Sequence, residues 1–306
     1  MRHFIDIKDF DSGEIEEILT LASKIVSDPG AYSETMRRKK IATLFFEPST
    51  RTRLSFESAM LDLGGSVIGF SDSSSSSASK GESVRDTVKT VSCYCDVIVM
   101  RHPKEGAPLL ASTVSEVPII NAGDGGHAHP TQTLTDLFTI KQEAGRFEGL
   151  TIGLCGDLKF GRTVHSLADA MLSYSGVKII AISPDELKLP EYIASKLEQE
   201  ESIELTQTND LEWALPKLDV LYMTRVQRER FFNEEDYLRL KDSFIIDAQK
   251  MQLMKESACL MHPLPRVNEI AVEVDQDPRA AYFRQVKNGK FVRMALILKL
   301  LGGEMG

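Results

Sequence analysis

Residues 45–56 read FFEPSTRTRLSF, and within them Ser49, Thr50, Arg51, Thr52 and Arg53 set three hydroxyls and two guanidinium groups on five consecutive positions. An apolar run over 41–46 breaks at Pro48, and apolar residues at helical spacing resume after Arg53. The pattern predicts a buried strand, a turn and the start of a helix. A helix start offers N–H groups that lack intrahelical acceptors and a partial positive charge, and Arg binds phosphate oxygens in bidentate fashion. Such a turn suits an anion. A capped helix with solvated arginines is the competing reading.

The same logic extends along the chain. Arg101 follows the run DVIVM, His129 follows PIIN, Arg162 follows TIGLC, Arg225 follows VLYM and His262 follows CLM. In open α/β sheets ligands bind outside the carboxyl ends of the strands, so cations at successive strand ends predict one cationic cleft. Arg51, Arg53 and Arg101 could neutralise one dianion, while Arg162 and Arg225 could hold a second reactant with further carboxylates. Two anionic reactants facing each other suggest a group transfer.

The elements that must position these residues are legible as alternating patterns. Asp11 or Ser12 caps a first helix through Ile25, a strand starts at Lys40, and the helix after the STRTR turn stops at Gly64-Gly65. Strands over 67–70, 96–100 and 118–121 follow, with a helix carrying Val84, Val88 and Val91 and another from Thr131. The serine tract 71–79, leading into Lys80-Gly81-Glu82, has no apolar periodicity and reads as a mobile loop. A second series begins at Thr151, with strands over 151–155, 177–182, 220–223, 244–246 and 259–261. Strands alternating with helices predict an α/β fold of two doubly wound parallel-sheet domains, 1–135 and 150–284, with the active site in the cleft between them. The last helix, 278–301, is apolar nearly all round toward its end and should be buried.

Composition narrows the function classes. The chain has 306 residues and a formal net charge of -9, so a surface for nucleic acid or an anionic membrane spread over the whole protein is not expected. The N-terminal MRHFIDIKDF places acids where a secretion signal needs an apolar core, and the longest apolar tract, 294–301, is far below the ~20 residues of a membrane span. The expected location is the cytoplasm. Cys93, Cys95, Cys155 and Cys259 contain no C-x-x-C pair and read as core thiols, with no metal and no cofactor expected.

The string STRTR after FFEP, with MRHP, HPTQT, TRVQ and HPLPR, resembles the aspartate and ornithine carbamoyltransferase family over nearly the whole chain. The resemblance implies that the first domain binds carbamoyl phosphate through Ser49, Thr50, Arg51, Thr52, Arg101, His129 and Gln132. It implies that Arg162, Arg225 and Gln227 bind L-aspartate, and that the carbonyls of Pro263 and Leu264 receive its amine. Lys80 and one serine of the tract, for which Ser77 is the choice, match a loop that the family inserts into a neighbouring subunit's site, where Lys80 serves both substrates. A homotrimer with shared sites follows, as does a place in pyrimidine biosynthesis, and any regulatory chains would be separate polypeptides. The C-terminal residues 285–306 would pack back on the first domain. Arg51, Thr52, Arg101 and His129 would be the catalytic set: the last three stabilise charge on the carbamoyl oxygen, and Arg51 holds the departing phosphate.

Alternatives stand beside this. Transfer to ornithine or another amine would put a cationic side chain against Arg162 and Arg225, and HPLPR lacks the cysteine of the HCLP motif in ornithine enzymes. Residues 156–163, GDLKFGRT, fall one residue short of a nucleotide phosphate loop, with Arg162 where that motif needs Lys. A non-catalytic metabolite sensor on the same fold is the third.

Overall fold

The computed structural model describes residues 1–72, 80–228, 231 and 233–302. In chain order these form α1 (Ser12–Ser27), β1 (Lys40–Phe45), α2 (Thr50–Asp62), β2 (Ser66–Phe70), α3 (Val84–Ser92), β3 (Val97–His102), α4 (Ala107–Ser112), β4 (Ile119–Asp124) and α5 (Pro130–Ala144). There follow β5 (Thr151–Cys155), α6 (Arg162–Met171), β6 (Val177–Ile182), α7 (Glu191–Glu198), β7 (Ile203–Thr208), α8 (Leu211–Ala214) and β8 (Val220–Met223). Then come α9 (Glu234–Leu240), α10 (Ala248–Leu253), β9 (Cys259–Met261) and α11 (Tyr282–Leu301). The chain divides into two compact units, one of Met1–Phe138 with Val286–Gly306 and one of Thr139–Gln285.

In the first unit the sheet order is β2-β1-β3-β4, and every pairing is parallel. β1 and β3 are buried almost throughout, as strands covered on both faces by helices must be, and their uninterrupted apolar runs record that burial. Ala42, Leu44, Ile98, Met100 and Ile119 form the heart of one core. α1 opens with a reciprocal capping box in which Asp11 accepts from Glu14 N and Glu14 accepts from Asp11 N. The free edge of β4 is covered by Phe4, whose N–H and C=O bond Ile119 O and Asn121 N at 2.8 Å each. From Val286 onward α11 belongs to this unit, where Val292, Met294, Ala295 and Ile297 are fully buried.

In the second unit the order is β7-β6-β5-β8-β9, again all parallel. Its core gathers Cys155, Ile182, Leu221, Met223, Leu260 and Tyr282. Two strand expectations need correction. β7 was not anticipated: IELTQT alternates and is only partly buried, the pattern of an edge strand rather than of an apolar core run. Residues 244–246 form no strand; Ile246 makes a single bridge to Ile270 outside the sheet. The last helix starts at Tyr282 rather than at residue 278. No helix among the described residues is long and apolar enough to cross a membrane.

Because Ile297 is fully buried in a unit that, outside the segment 286–306, ends at Phe138, Ile297→Ala removes packing between parts of the chain far apart in sequence. A loss of about 2–5 kcal/mol is expected in urea unfolding. An unchanged midpoint would show that the end of α11 contributes nothing to the first unit.

Candidate active site

Strand order reverses between β1 and β3 in the first unit and between β5 and β8 in the second. These are the positions where an open parallel sheet leaves a crevice at its carboxyl edge. The candidate residues collect at both.

In the first unit Phe45 pairs with Arg101, and Phe46 N donates to Arg101 O at 2.9 Å, so Arg101 is pinned beside the exit from β1. That exit leads to Ser49, the N-cap of α2. Ser49 has extended backbone angles (φ -154°, ψ 103°), but its side chain makes no cap hydrogen bond. The first turn of a thirteen-residue helix is therefore left without the side-chain acceptor that normally occupies it. Thr52 is buried within this turn and Arg51 is exposed. The Arg53 guanidinium lies 3.4 Å from Glu57 one helical turn on.

The Arg101 side chain is largely buried. Its Nε lies 3.2 Å from Glu47 Oε2, although neither of these buried atoms finds hydrogen-bond geometry, and Nη1 donates weakly to Ala122 O at 3.4 Å. Gly123 (φ +120°) explains how Arg101 and His129 come together. A Cβ there would stand 3.0 Å from Arg101 Nη1 and 3.4 Å from His129 Cδ2, so both side chains close on the one residue that lacks a side chain. His129 is buried; its carbonyl accepts Gln132 N at 2.9 Å, and its Nδ1 lies 3.4 Å from Thr131 Oγ1. Gln132 donates from Nε2 to the buried Asp136 at 2.7 Å, which fixes the orientation of its carboxamide.

In the second unit the ends of β5 and β8 are tied by Thr224, which donates from N (2.8 Å) and Oγ1 (3.2 Å) to Cys155 O. Gly156 (φ +115°) permits this approach, since a Cβ would fall 2.2 Å from Thr224 O. Asp157, fully buried, was missed as a site residue. One carboxylate oxygen accepts Phe160 N (3.0 Å), leading into Arg162 at the start of α6, and the other accepts Gln227 N (3.3 Å) in the loop of Arg225. Its signal is an Asp at the head of a turn, directly after the glycine that follows β5. Burial pushes its pKa up, against those hydrogen bonds. Phe160 N is thereby spent, as is Leu158 N on Leu187 O (3.1 Å), so this loop does not present the free N–H cradle of a nucleotide phosphate loop.

One strand over, β9 ends in His262, Pro263 and Leu264. His262 is buried, Nδ1 accepts Leu264 N at 2.8 Å, and Nε2 meets Glu269 Oε1 at 2.8 Å. β9 pairs in parallel with β8, so the end that carries Pro263 and Leu264 lies beside the end that carries Arg225. The structure thus sets the β1 exit leading to Ser49, Thr50, Arg51 and Thr52 beside Arg101, and brings Arg101 and His129 both to Gly123. Separately it brings Arg162, Arg225 and Gln227 to adjacent strand ends, next to Pro263 and Leu264. Lys80 is exposed in the first unit, and Ser77 lies outside the described residues. No group of His, Cys, Asp and Glu among the described residues could hold a metal ion.

Comparison with known proteins agrees with this division. Residues 2–142 match the family profile described as aspartate/ornithine carbamoyltransferase, carbamoyl-P binding domain, and residues 148–300 match the Asp/Orn binding domain of the same family. The chain is 62% identical over 301 residues to the aspartate carbamoyltransferase catalytic subunit of Lachnoclostridium phytofermentans, covering 98% of each. It superposes on the catalytic subunit of M. jannaschii aspartate transcarbamoylase with a TM-score of 0.93, 47% identity and full coverage of both chains. It also superposes on Trypanosoma cruzi aspartate transcarbamoylase in complex with carbamoyl phosphate and aspartate, with a TM-score of 0.91, 40% identity and coverage of 98% and 96%.

His102, His165 and His262 all have pKa values lowered below 6.5, with burial the leading cause in each. For His262 the facing charges are Glu269, which opposes the shift, and Arg225 and Arg266, which add to it. Groups that fold neutral contribute stability fully present above the unfolded pKa, and lose it as pH falls through about 6.5 toward the lowered folded value. Urea midpoints measured from pH 7.5 down to 5.5 should therefore fall; a flat or rising midpoint would contradict the burial of these rings.

Proposed function

The chain belongs to the aspartate/ornithine carbamoyltransferase family, and from that premise we infer that it is a transferase that moves the carbamoyl group of carbamoyl phosphate onto the amine of L-aspartate. The products are N-carbamoyl-L-aspartate and phosphate, a step of pyrimidine biosynthesis. The observation that carries the reading is the pairing of two different anion sites at two strand-order reversals. One offers an uncapped helix start with Arg51 and Arg101, suited to a phosphate; the other offers Arg162 and Arg225, suited to a dicarboxylate. Ornithine would bring a cation to the second site, where two guanidinium groups oppose it.

In this reading Ser49, Thr50, Arg51 and the N–H groups of the α2 start hold the phosphate, and Gln132, oriented by Asp136, holds the carbamoyl amide. Arg162, Arg225 and Gln227 hold the aspartate carboxylates, with their loops set by Asp157. The Pro263 and Leu264 carbonyls accept the amine N–H groups and direct its lone pair. That lone pair attacks the carbamoyl carbon, a C–N bond forms, and the carbonyl oxygen becomes an oxyanion. Thr52, Arg101 and His129 donate to that oxygen. The C–O bond to phosphate then breaks, and the phosphate, leaving with the bonding pair, accepts the amine proton. No protein nucleophile takes part. Positioning two anions that repel one another in water supplies much of the remaining rate.

The assembly proposed is a cytoplasmic homotrimer in which Lys80, exposed on its own chain, and Ser77 reach a neighbouring site. Regulatory chains, where present, would be separate polypeptides. Light scattering should return three times the chain mass, and a monomer with full activity would remove the shared-site proposal.

The direct test is carbamoyl-aspartate formation by the purified protein, with L-ornithine as the parallel acceptor. Turnover with aspartate alone is expected. Thr52→Val or His129→Ala should lower kcat about 10²- to 10³-fold, as the loss of one oxyanion donor does. Arg162→Ala or Arg225→Ala should raise the KM for aspartate about 10- to 100-fold, the cost of a hydrogen bond to a charged group, with little change for carbamoyl phosphate. Equal turnover of ornithine would sink the assignment of the second site.

A further inference from the structure

The turn after β9 is held in a conformation that its own sequence does not favour. Leu264 has φ +56°, in the left-handed region that side chains beyond glycine, Asn and Asp seldom enter. Its N–H points at His262 Nδ1, 2.8 Å away, and so it is an imidazole two residues earlier that holds the leucine there. A ring nitrogen that accepts an N–H carries no proton itself. The proton of the neutral ring is therefore on Nε2, which faces Glu269 Oε1 at 2.8 Å.

Glu269 is as tightly engaged as the ring it faces. Its second oxygen accepts Val267 N at 3.0 Å and Asn268 N at 3.1 Å. Its main chain is bridged to Ile246, with Ile246 N donating to Glu269 O at 2.9 Å and Ala271 N donating to Ile246 O at 2.8 Å. The main-chain N–H of His262 donates to Gln285 Oε1 at 2.9 Å. Both residues are buried, 1% and 4% exposed, and both ring nitrogens and both carboxylate oxygens are engaged by protein partners. The pair is braced from several directions, and the one atom of it that acts on the turn is Nδ1.

We propose that Glu269 and His262 are positioning residues for the transfer: the Glu269 carboxylate holds the imidazole in its Nε2–H form, and Nδ1 holds Leu264 so that the Pro263 and Leu264 carbonyls face the incoming amine. The inference rests on the reading of this turn as the amine acceptor in transfer to aspartate. It predicts that the acceptor on Nδ1 matters for the aspartate reaction, while the donor on Nε2 matters for holding the fold together.

Two substitutions separate those roles. His262→Asn keeps an acceptor oxygen near the place of Nδ1 and loses the donor to Glu269. His262→Gln keeps a donor near the place of Nε2 and loses the acceptor. His262→Gln should lose 30-fold or more in kcat/KM for aspartate with the KM for carbamoyl phosphate within twofold of wild type, and His262→Asn should stay within about fivefold in both. Their thermal midpoints should rank the other way, because His262→Asn leaves a buried carboxylate short of a donor. A purely structural role predicts that activity follows the thermal midpoint, with His262→Asn the poorer enzyme, and that result would overturn the proposal, as would equal kinetics. Nitrogen NMR of the wild-type histidine rings needs no variant to fold: a neutral Nε2–H ring at His262 at pH 7 is expected, and an Nδ1–H or doubly protonated ring would refute the arrangement. Wild-type protein that makes no carbamoyl aspartate would instead refute the proposed function, and the two failures are thereby distinct.

Discussion

Where the order of strands in a parallel sheet reverses, the chains leaving two neighbouring strands turn to opposite faces, and the gap between their carboxyl ends is left uncovered by backbone. Everything functional in this molecule depends on that constraint, met twice. β1 and β3 supply the gap in one unit, β5 and β8 in the other. Each gap is entered by a helix start and an arginine, α2 with Arg101 in the first, α6 with Arg225 in the second. An acidic protein can thus present two local cationic sites, because the sheet edge gathers cations that are far apart in sequence.

Holding those sites falls to buried carboxylates that face inward. Asp157 joins the loops of Arg162 and Gln227. Asp124 accepts Gly106 N (2.9 Å), Ala128 N (3.2 Å) and the Asn121 carboxamide (3.0 Å) beside the segment that delivers His129. Glu269 joins two backbone N–H groups to His262. A buried carboxylate is costly unless its oxygens are satisfied, and here each is satisfied by the donors of an irregular loop that would otherwise be unpaired. The cost and the remedy coincide at the same turns. This is why the loops that carry Arg162, Arg225 and His129 can be irregular and still be held: their rigid part is a set of buried carboxylates.

Gly123 and Gly156 show the same economy of space. At Gly123, the Arg101 and His129 side chains close on a Cα that carries nothing; at Gly156, two strand ends approach to within the reach of a threonine hydroxyl. In each case the absence of a Cβ sets the distance between functional groups, and positive φ keeps larger residues out.

The sequence by itself determined the class of fold, most of the strands and the anion turn, because those follow from local periodicity and from residue types that act where they stand. Runs such as IATLFF and TIGLC record burial on both faces, and STRTR places its donors at a helix start whatever surrounds it. Tertiary structure alone decided the rest. IELTQT became a strand because β6 offered it an edge, and FII at 244–246 did not because its partner was a single residue, Ile270. Arg53 is paired with Glu57, one turn away on the same face. Asp157 and Glu269 read as ordinary loop residues until the strand ends meet, and His262, which its place after a strand marks as a cation of the cleft, is instead buried against Glu269. Their roles consist of hydrogen bonds to backbone groups whose positions no local pattern specifies, so only the folded chain could assign them.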